Sequence, residues 1–205
     1  TPDVYQGSPT PFTAFVSTAS KAAGFAVFLR VFTSGAFGDI SRFSPTTAPG
    51  WWAMLVAMSI ITMMLGNFVA IFQTNIKRML AYSSIAQIGY MVLGIGLAST
   101  TGITGAILHL FNHALMKGAL FLALAAVAYR VGSTALQDLA GLGRRMPWTM
   151  SAIVVGGLSL VGVPGTVGFV SKWYLVLASL EQGLWPVALL ILLGSLLAVV
   201  YVWKL

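Results

Sequence analysis

The chain has 205 residues, of which 58% are hydrophobic and only 7% charged, with a mean hydropathy of +0.92. Water-soluble domains carry about 25% charged residues, so a soluble fold of this size would lack the polar side chains to cover its surface. The 11 Lys and Arg outnumber the 4 Asp and Glu, but they are scattered, mostly flank apolar runs and form no basic run interleaved with aromatics, which fits topology and lipid headgroups rather than nucleic acid.

Cysteine is absent, which excludes disulfides and thiolate-bound zinc or iron–sulfur centres within the chain. No glycine-rich phosphate loop occurs, and no cofactor is expected in this chain. The sequence starts at Thr1 without a signal-peptide pattern and stops at Leu205 in an apolar run, so it is expected to be an internal part of a longer membrane subunit.

A spanning helix needs roughly 20 mostly apolar residues. Six such runs occur, here lettered A to F: A near 12–32, B near 51–72, C near 79–98, D near 103–129, E near 148–180 and F near 184–204. They are long, rich in Ala, Leu and Gly, and lack the two-residue alternation of a membrane barrel. The expected fold is therefore all-α: a polytopic transmembrane bundle of about six helices forming a single domain over 1–205.

In run A, Lys21 lies near the middle. A charge at the bilayer centre costs roughly 2.5–3.5 kcal/mol on insertion scales, and burial disfavours the charged form. Lys21 is thus a candidate to take up and release a proton. The bland alternative is a later helix start, with Lys21 snorkelling to the interface.

Between B and C stand Lys77 and Arg78, and between D and E Arg144 and Arg145. Their default reading is interfacial anchoring. Trp51, Trp52, Trp148 and Trp185 near run ends fit an aromatic belt.

Run D carries His109, His113 and Lys117 at steps of four. Each step turns a helix by about 400°, so the three form one stripe about 12 Å long. Histidine titrates near neutral pH and both ring nitrogens can serve a relay. A metal site is the rival reading, but no carboxylate or cysteine stands near in sequence to complete a shell. Asn112 lies beside the stripe and points elsewhere.

Run E is too long for one straight span: some 33 residues would reach about 50 Å against a core of about 30 Å. Its centre holds Gly162, Pro164, Gly165 and Gly168. Proline removes a donor and glycine leaves helical geometry easily. A helix broken mid-membrane near 162–168 is expected, of the kind that marks ion sites in transporters. Lys172 follows the break. The four acids Asp3, Asp39, Asp138 and Glu181 lie outside or at the edges of the runs, so a carboxylate-built sodium site is not expected here.

If the runs alternate direction, the segment before A, the B–C and D–E connections and the end after F share one side. That side holds Lys77, Arg78, Arg130, Arg144, Arg145 and Lys204, against Arg30 and Arg42 on the other. The bias assigns the first side to the cytoplasm, in a bacterial plasma membrane.

Several stretches resemble a known superfamily. The opening Thr1 to Pro11 looks like the segment preceding a helix in the antiporter-like subunits of respiratory complex I, the NADH:quinone oxidoreductase, especially the N-type or subunit 2 group. Asn75 to Tyr90 is typical of the whole superfamily. His109 to Gly118 and Gly162 to Tyr174 resemble the D subunit of the Mrp sodium/proton antiporter equally well. The resemblance covers essentially the whole chain.

The resemblance implies a fold of about fourteen helices with two inverted repeats, each with one broken helix. This chain would hold most of the second repeat. Lys21 would match a connecting lysine, His109, His113 and Lys117 a central relay, and Lys172 the lysine on the second broken helix. The family's glutamate–lysine pair would lie upstream of Thr1. Two functions follow as expectations: a proton-conducting subunit of complex I without redox chemistry of its own, or an Mrp-type subunit exchanging sodium for protons. Either implies other membrane subunits and the lipid bilayer as partners. A structural scaffold is the alternative from a different class.

Overall fold

The computed structural model describes residues 2–33 and 51–205. Arg42 and Asp39 lie outside the described residues, as does Thr1. The described residues are overwhelmingly helical: α1 (Pro2–Gly7), α2 (Thr10–Phe15), a π-helical turn (Val16–Ser20), α3 (Lys21–Thr33), α4 (Trp51–Ile71), α5 (Ile76–Gly96), α6 (Thr100–Val131), a 3-10 turn (Leu136–Leu139), α7 (Leu142–Arg145), α8 (Pro147–Val161), α9 (Val167–Glu181) and α10 (Trp185–Val202). Thr10–Phe32, α4, α5, α6 and α10 are each long and apolar enough to cross a membrane. Run E is divided into α8 and α9, of 15 residues each.

Local chemistry sets the helix ends. Asn75 caps α5, its side chain accepting from the N–H groups of Lys77 (2.9 Å) and Arg78 (3.3 Å). Ser99 caps α6 by accepting from Gly102 N–H at 3.0 Å. These contacts satisfy donors that the first helical turn leaves open. Gly132 ends α6 in the left-handed conformation, φ 76°.

α5 is the centre of the bundle. Ala81, Ala86, Gln87, Leu93 and Tyr90 on it are all fully buried. α4 packs on it through small residues: a Cβ on Gly66 would meet Ala86 N at 2.5 Å, and one on Gly89 would meet Ser59 O at 2.8 Å. Close backbone approach is how helices associate where lipid removes the hydrophobic drive between them. α6 and α9 cover another face of α5, and Met54, Met58, Ile61, Leu65 and Phe68 of α4 point outward. Such an apolar exterior is what a lipid-facing surface requires.

Four chain segments meet at one end of the bundle. The B–C and D–E connections pair by backbone, with Ile76 N–H donating to Thr134 O (3.0 Å) and Leu136 N–H to Thr74 O (3.1 Å). Lys77 Nζ donates to Ser8 O at 2.9 Å, which ties in the segment before run A. Lys204 Nζ donates to Ile71 O, which ties in the end after run F. Lys77 is thus a buried clamp, 8% exposed, rather than a free interfacial anchor. Arg78 pairs with Asp3 at 3.2 Å.

Candidate functional site

The helix break positions Lys172. Gly162 has φ 86° and closes α8 as a Schellman turn: its N–H reaches Ser159 O (3.1 Å), and Val163 N–H reaches Leu158 O (3.2 Å). The carbonyls of Leu160 and Val161 remain, and Lys172 Nζ, coming from α9, donates to both at 2.9 and 2.8 Å. All four terminal carbonyls of α8 are therefore satisfied inside the bundle, as non-helical backbone at membrane depth demands. Lys172 Nζ also meets Ser195 Oγ on α10 at 3.0 Å and lies 4.8 Å from the centroid of the Tyr90 ring.

The unwound segment runs over 162–166, shorter than the expected 162–168. Gly165 has φ 90°, in the left-handed region, whereas Gly168 is helical and lies in the first turn of α9. Gly168 is needed for a different reason: a Cβ there would stand 1.9 Å from Ser159 O. Its N–H donates to Ser159 Oγ at 3.2 Å, joining the two half-helices. Asn112 donates to Val167 O at 2.6 Å and holds the start of α9 against α6, so it does point away from the relay stripe.

The stripe on α6 faces inward. His109 and Lys117 are 0% exposed and His113 1%. Lys117 Nζ donates to Leu80 O (2.8 Å) and Ser83 Oγ (2.5 Å) on α5. His109 Nδ1 contacts Ser171 Oγ at 2.9 Å and its Nε2 contacts Gln87 Oε1 at 2.8 Å. With both nitrogens engaged, the histidine pair is not arranged as two ligands of one metal ion. His113 Nε2 is buried without a partner, within electrostatic reach of Lys21 and Lys117.

Lys21 opens α3 directly after the π turn. Its Nζ is buried without a hydrogen-bond partner, 5.6 Å from the centroid of the Tyr5 ring. Its stem lines a cavity of about 320 Å³ with Gly24, Phe25, Phe28, Ile88, Met91 and Val92. Burial pushes the Tyr5 hydroxyl up to about 12, so the ring under Lys21 stays a neutral phenol. The π turn has a local cause. Ser17 and Thr18 hydroxyls both donate to Ala14 O, at 2.9 and 3.0 Å, and such back-bonding loosens the helical ladder. π-bulges gather at functional sites. The hydroxyls come from the stretch Ser17-Thr18-Ala19-Ser20 just before Lys21.

The expected site residues thus fall into two groups that share α5 and α6: Lys21 with His113 and Lys117, and His109 with Lys172. Ser83, Gln87, Tyr90, Ser171, Ser195 and Tyr201, which run-by-run reading passes over, fill the space between them. Their signal was only the presence of polar residues inside apolar runs C, E and F.

Among the described residues, then, the protein is a polytopic α-helical membrane protein with one broken helix and buried basic side chains at its centre. Residues 1–198 match the family described as NADH:quinone oxidoreductase/Mrp antiporter, transmembrane, and the chain belongs to that family. It is 38% identical over 205 residues to NADH-quinone oxidoreductase subunit N of Desulforudis audaxviator, covering 99% of this chain and 39% of that protein. To the subunit N of Moorella thermoacetica it is 43% identical over 200 residues, covering 98% and 40%. Among solved structures it is similar to the Mrp complex of Dietzia sp. (TM-score 0.88, 28% identity, 98% of this chain and 36% of that one). It is also similar to respiratory complex I of Thermus thermophilus (TM-score 0.80, 34% identity, 100% and 43%). The chain spans about two-fifths of the length of the curated relatives it matches.

Proposed function

We propose that this chain is part of a proton-conducting membrane subunit of an NADH:quinone oxidoreductase of the respiratory complex I type, and that Lys21, His113, Lys117, His109 and Lys172 carry the proton. The observation that carries the reading is the coordination of the two buried lysines Lys117 and Lys172. Both are bound only by neutral oxygens, with no carboxylate in contact. Lys172 illustrates why that matters. As an ammonium it donates to Leu160 O, Val161 O and Ser195 Oγ; as an amine it donates to the two carbonyls and accepts from the Ser195 hydroxyl. Either state is satisfied by rotating one O–H bond. A lysine locked in a salt bridge would lack that freedom, because breaking a buried pair strands a charge at about 3–5 kcal/mol.

The unpartnered Nζ of Lys21 and Nε2 of His113 support a wet stretch between them, since buried polar atoms in native interiors find protein or water partners. Redox centres would reside in other subunits, with this chain responding through the charge of its neighbours. The chain represents most of the second of two inverted repeats. Its four gathered segments, two connections and the two ends, face the cytoplasm of a bacterial plasma membrane, as their excess of Lys and Arg supports. The second reading, an Mrp-type sodium/proton antiporter subunit, is favoured by the fold likeness to the Mrp complex; the subunit N names among the relatives favour the first.

The test is Lys117→Ala and Lys172→Ala in the full-length subunit, with proton transport measured in sealed vesicles and assembly followed in parallel. Lost transport in an assembled complex is expected. Undiminished transport would remove the relay, and loss of assembly would favour a scaffold. Sodium-dependent transport without quinone reduction would favour the antiporter.

A further inference from the structure

Gln87 is 0% exposed, and its two amide ends are satisfied unequally. Its Oε1 is 2.8 Å from His109 Nε2, while its Nε2 has no partner. The fully buried Tyr201 hydroxyl, on α10, faces Ser83 and Gln87 but closes a hydrogen bond with neither. Unpaired polar atoms cost about 1–3 kcal/mol each in a dry interior, so two that face each other call for a reason.

Donor chemistry supplies one. Where Ser171 Oγ gives its one hydrogen to Gly168 O at 3.2 Å, His109 Nδ1 is the donor to Ser171. An amide oxygen only accepts, so with Gln87 Oε1 turned to His109 the ring Nε2 is the donor. An imidazole donating from both nitrogens is an imidazolium. When His109 loses the Nε2 proton, the contact survives only if the amide makes a half-turn. Gln87 Nε2 then donates to His109, and Oε1 swings round to accept the Tyr201 O–H. In the cationic state the amide nitrogen faces the Tyr201 side instead, which leaves the O–H free to turn toward Ser83 Oγ. That oxygen keeps one lone pair free after donating to Leu80 O and accepting from Lys117 Nζ. The titratable groups around His109 are Tyr90 on α5 (ring centroids 5.5 Å apart), Lys172 on α9, and His113 on its own helix.

We infer that Gln87 and Tyr201 are a positioning pair: the amide turns with the proton on His109 and passes that state, as the direction of one O–H bond, to the serine that holds Lys117. This rests on the relay proposed above. The pair links the two groups of basic residues without moving a proton itself. Neither residue touches a carboxylate, and each needs only a rotation about its terminal bond.

The test uses the full-length subunit in its assembled complex, reconstituted in vesicles, with Tyr201→Phe, Gln87→Leu, the double variant and Lys117→Ala. Each single variant is expected to slow proton transport about tenfold, the weight of one buried hydrogen bond, and the double variant to fall no further. Tyr201→Phe keeps ring volume, so packing alone predicts little loss. Infrared difference spectra with ring-labelled tyrosine, resting against turning over, are expected to show a hydroxyl band shift that vanishes in Gln87→Leu. Full transport in Tyr201→Phe with none in Lys117→Ala overturns the pair and leaves the relay. Full transport in Lys117→Ala removes both. Should a variant fail to assemble, the unmodified complex decides: without a tyrosine band shift there, the inference falls.

Discussion

Lys172 carries two duties that a single substitution can separate. It completes the hydrogen bonding of α8 through Leu160 O and Val161 O, and its proton is proposed to move. Lys172→Met strands both carbonyls, at about 1–3 kcal/mol each, so a lower unfolding midpoint in detergent is expected together with lost transport. Lys172→Arg keeps donors in place but holds its charge at any accessible pH. Its unfolding midpoint is expected to stay near the parent's while transport stops. If Lys172→Arg transported normally, the lysine would be a cap and nothing more. The position of Lys172 in the chain was legible beforehand, because Gly162 and Pro164 stand just upstream of it. Its carbonyl partners were not, because they become available only when α8 closes as a Schellman turn.

At the scale of elements, two irregularities set the geometry. The break between α8 and α9 depends on Gly168, whose missing Cβ lets α9 pass Ser159 O. Gly168→Ala forces the half-helices apart and is expected to destabilise by about 1–3 kcal/mol, the usual range for overpacking. The check is chemical or thermal unfolding of the full-length subunit, and a cost within error would mean α9 re-seats freely. The π turn at Val16–Ser20 depends on Ser17 and Thr18 holding Ala14 O. Ser17→Ala combined with Thr18→Val is expected to restore regular helix and rotate Lys21 by about 100°, one residue's turn. Transport should then fall although Lys21 remains, and unchanged transport would deny the turn a positioning role. The break was legible because proline and paired glycines interrupt a run too long to span. The π turn was not, because serine and threonine are tolerated in ordinary membrane helices and only their shared acceptor distinguishes them.

For the whole molecule, the gathering of two connections and two end segments at one end tests the alternation assumed from run count. Asn75 and Ala135 bridge, Lys77 reaches Ser8, and Lys204 reaches Ile71. Because the chain lacks cysteine, Arg145→Cys and Gln182→Cys give clean labelling sites within it. A membrane-impermeant maleimide is expected to label Arg145→Cys only from the cytoplasmic face and Gln182→Cys only from the opposite face. The reverse pattern would invert the proposed orientation.

Composition and run length by themselves determined that this is a helical membrane protein and which helix breaks; of the six expected runs, five form helices long enough to span and run E forms two half-helices. Those outcomes follow from one-dimensional rules: hydrocarbon thickness against residue rise, and the backbone chemistry of proline and glycine. Residue types placed the basic groups at depth, because a lysine inside an apolar run has few ways to reach water. What the lysines and histidines bind was decided only by packing. Leu80, Ser83 and Gln87 on α5, Ser195 on α10, and the opened end of α8 approach them from distant parts of the chain. Hydrogen bonding acts over about 3 Å, and no local sequence pattern specifies which helices come within that distance.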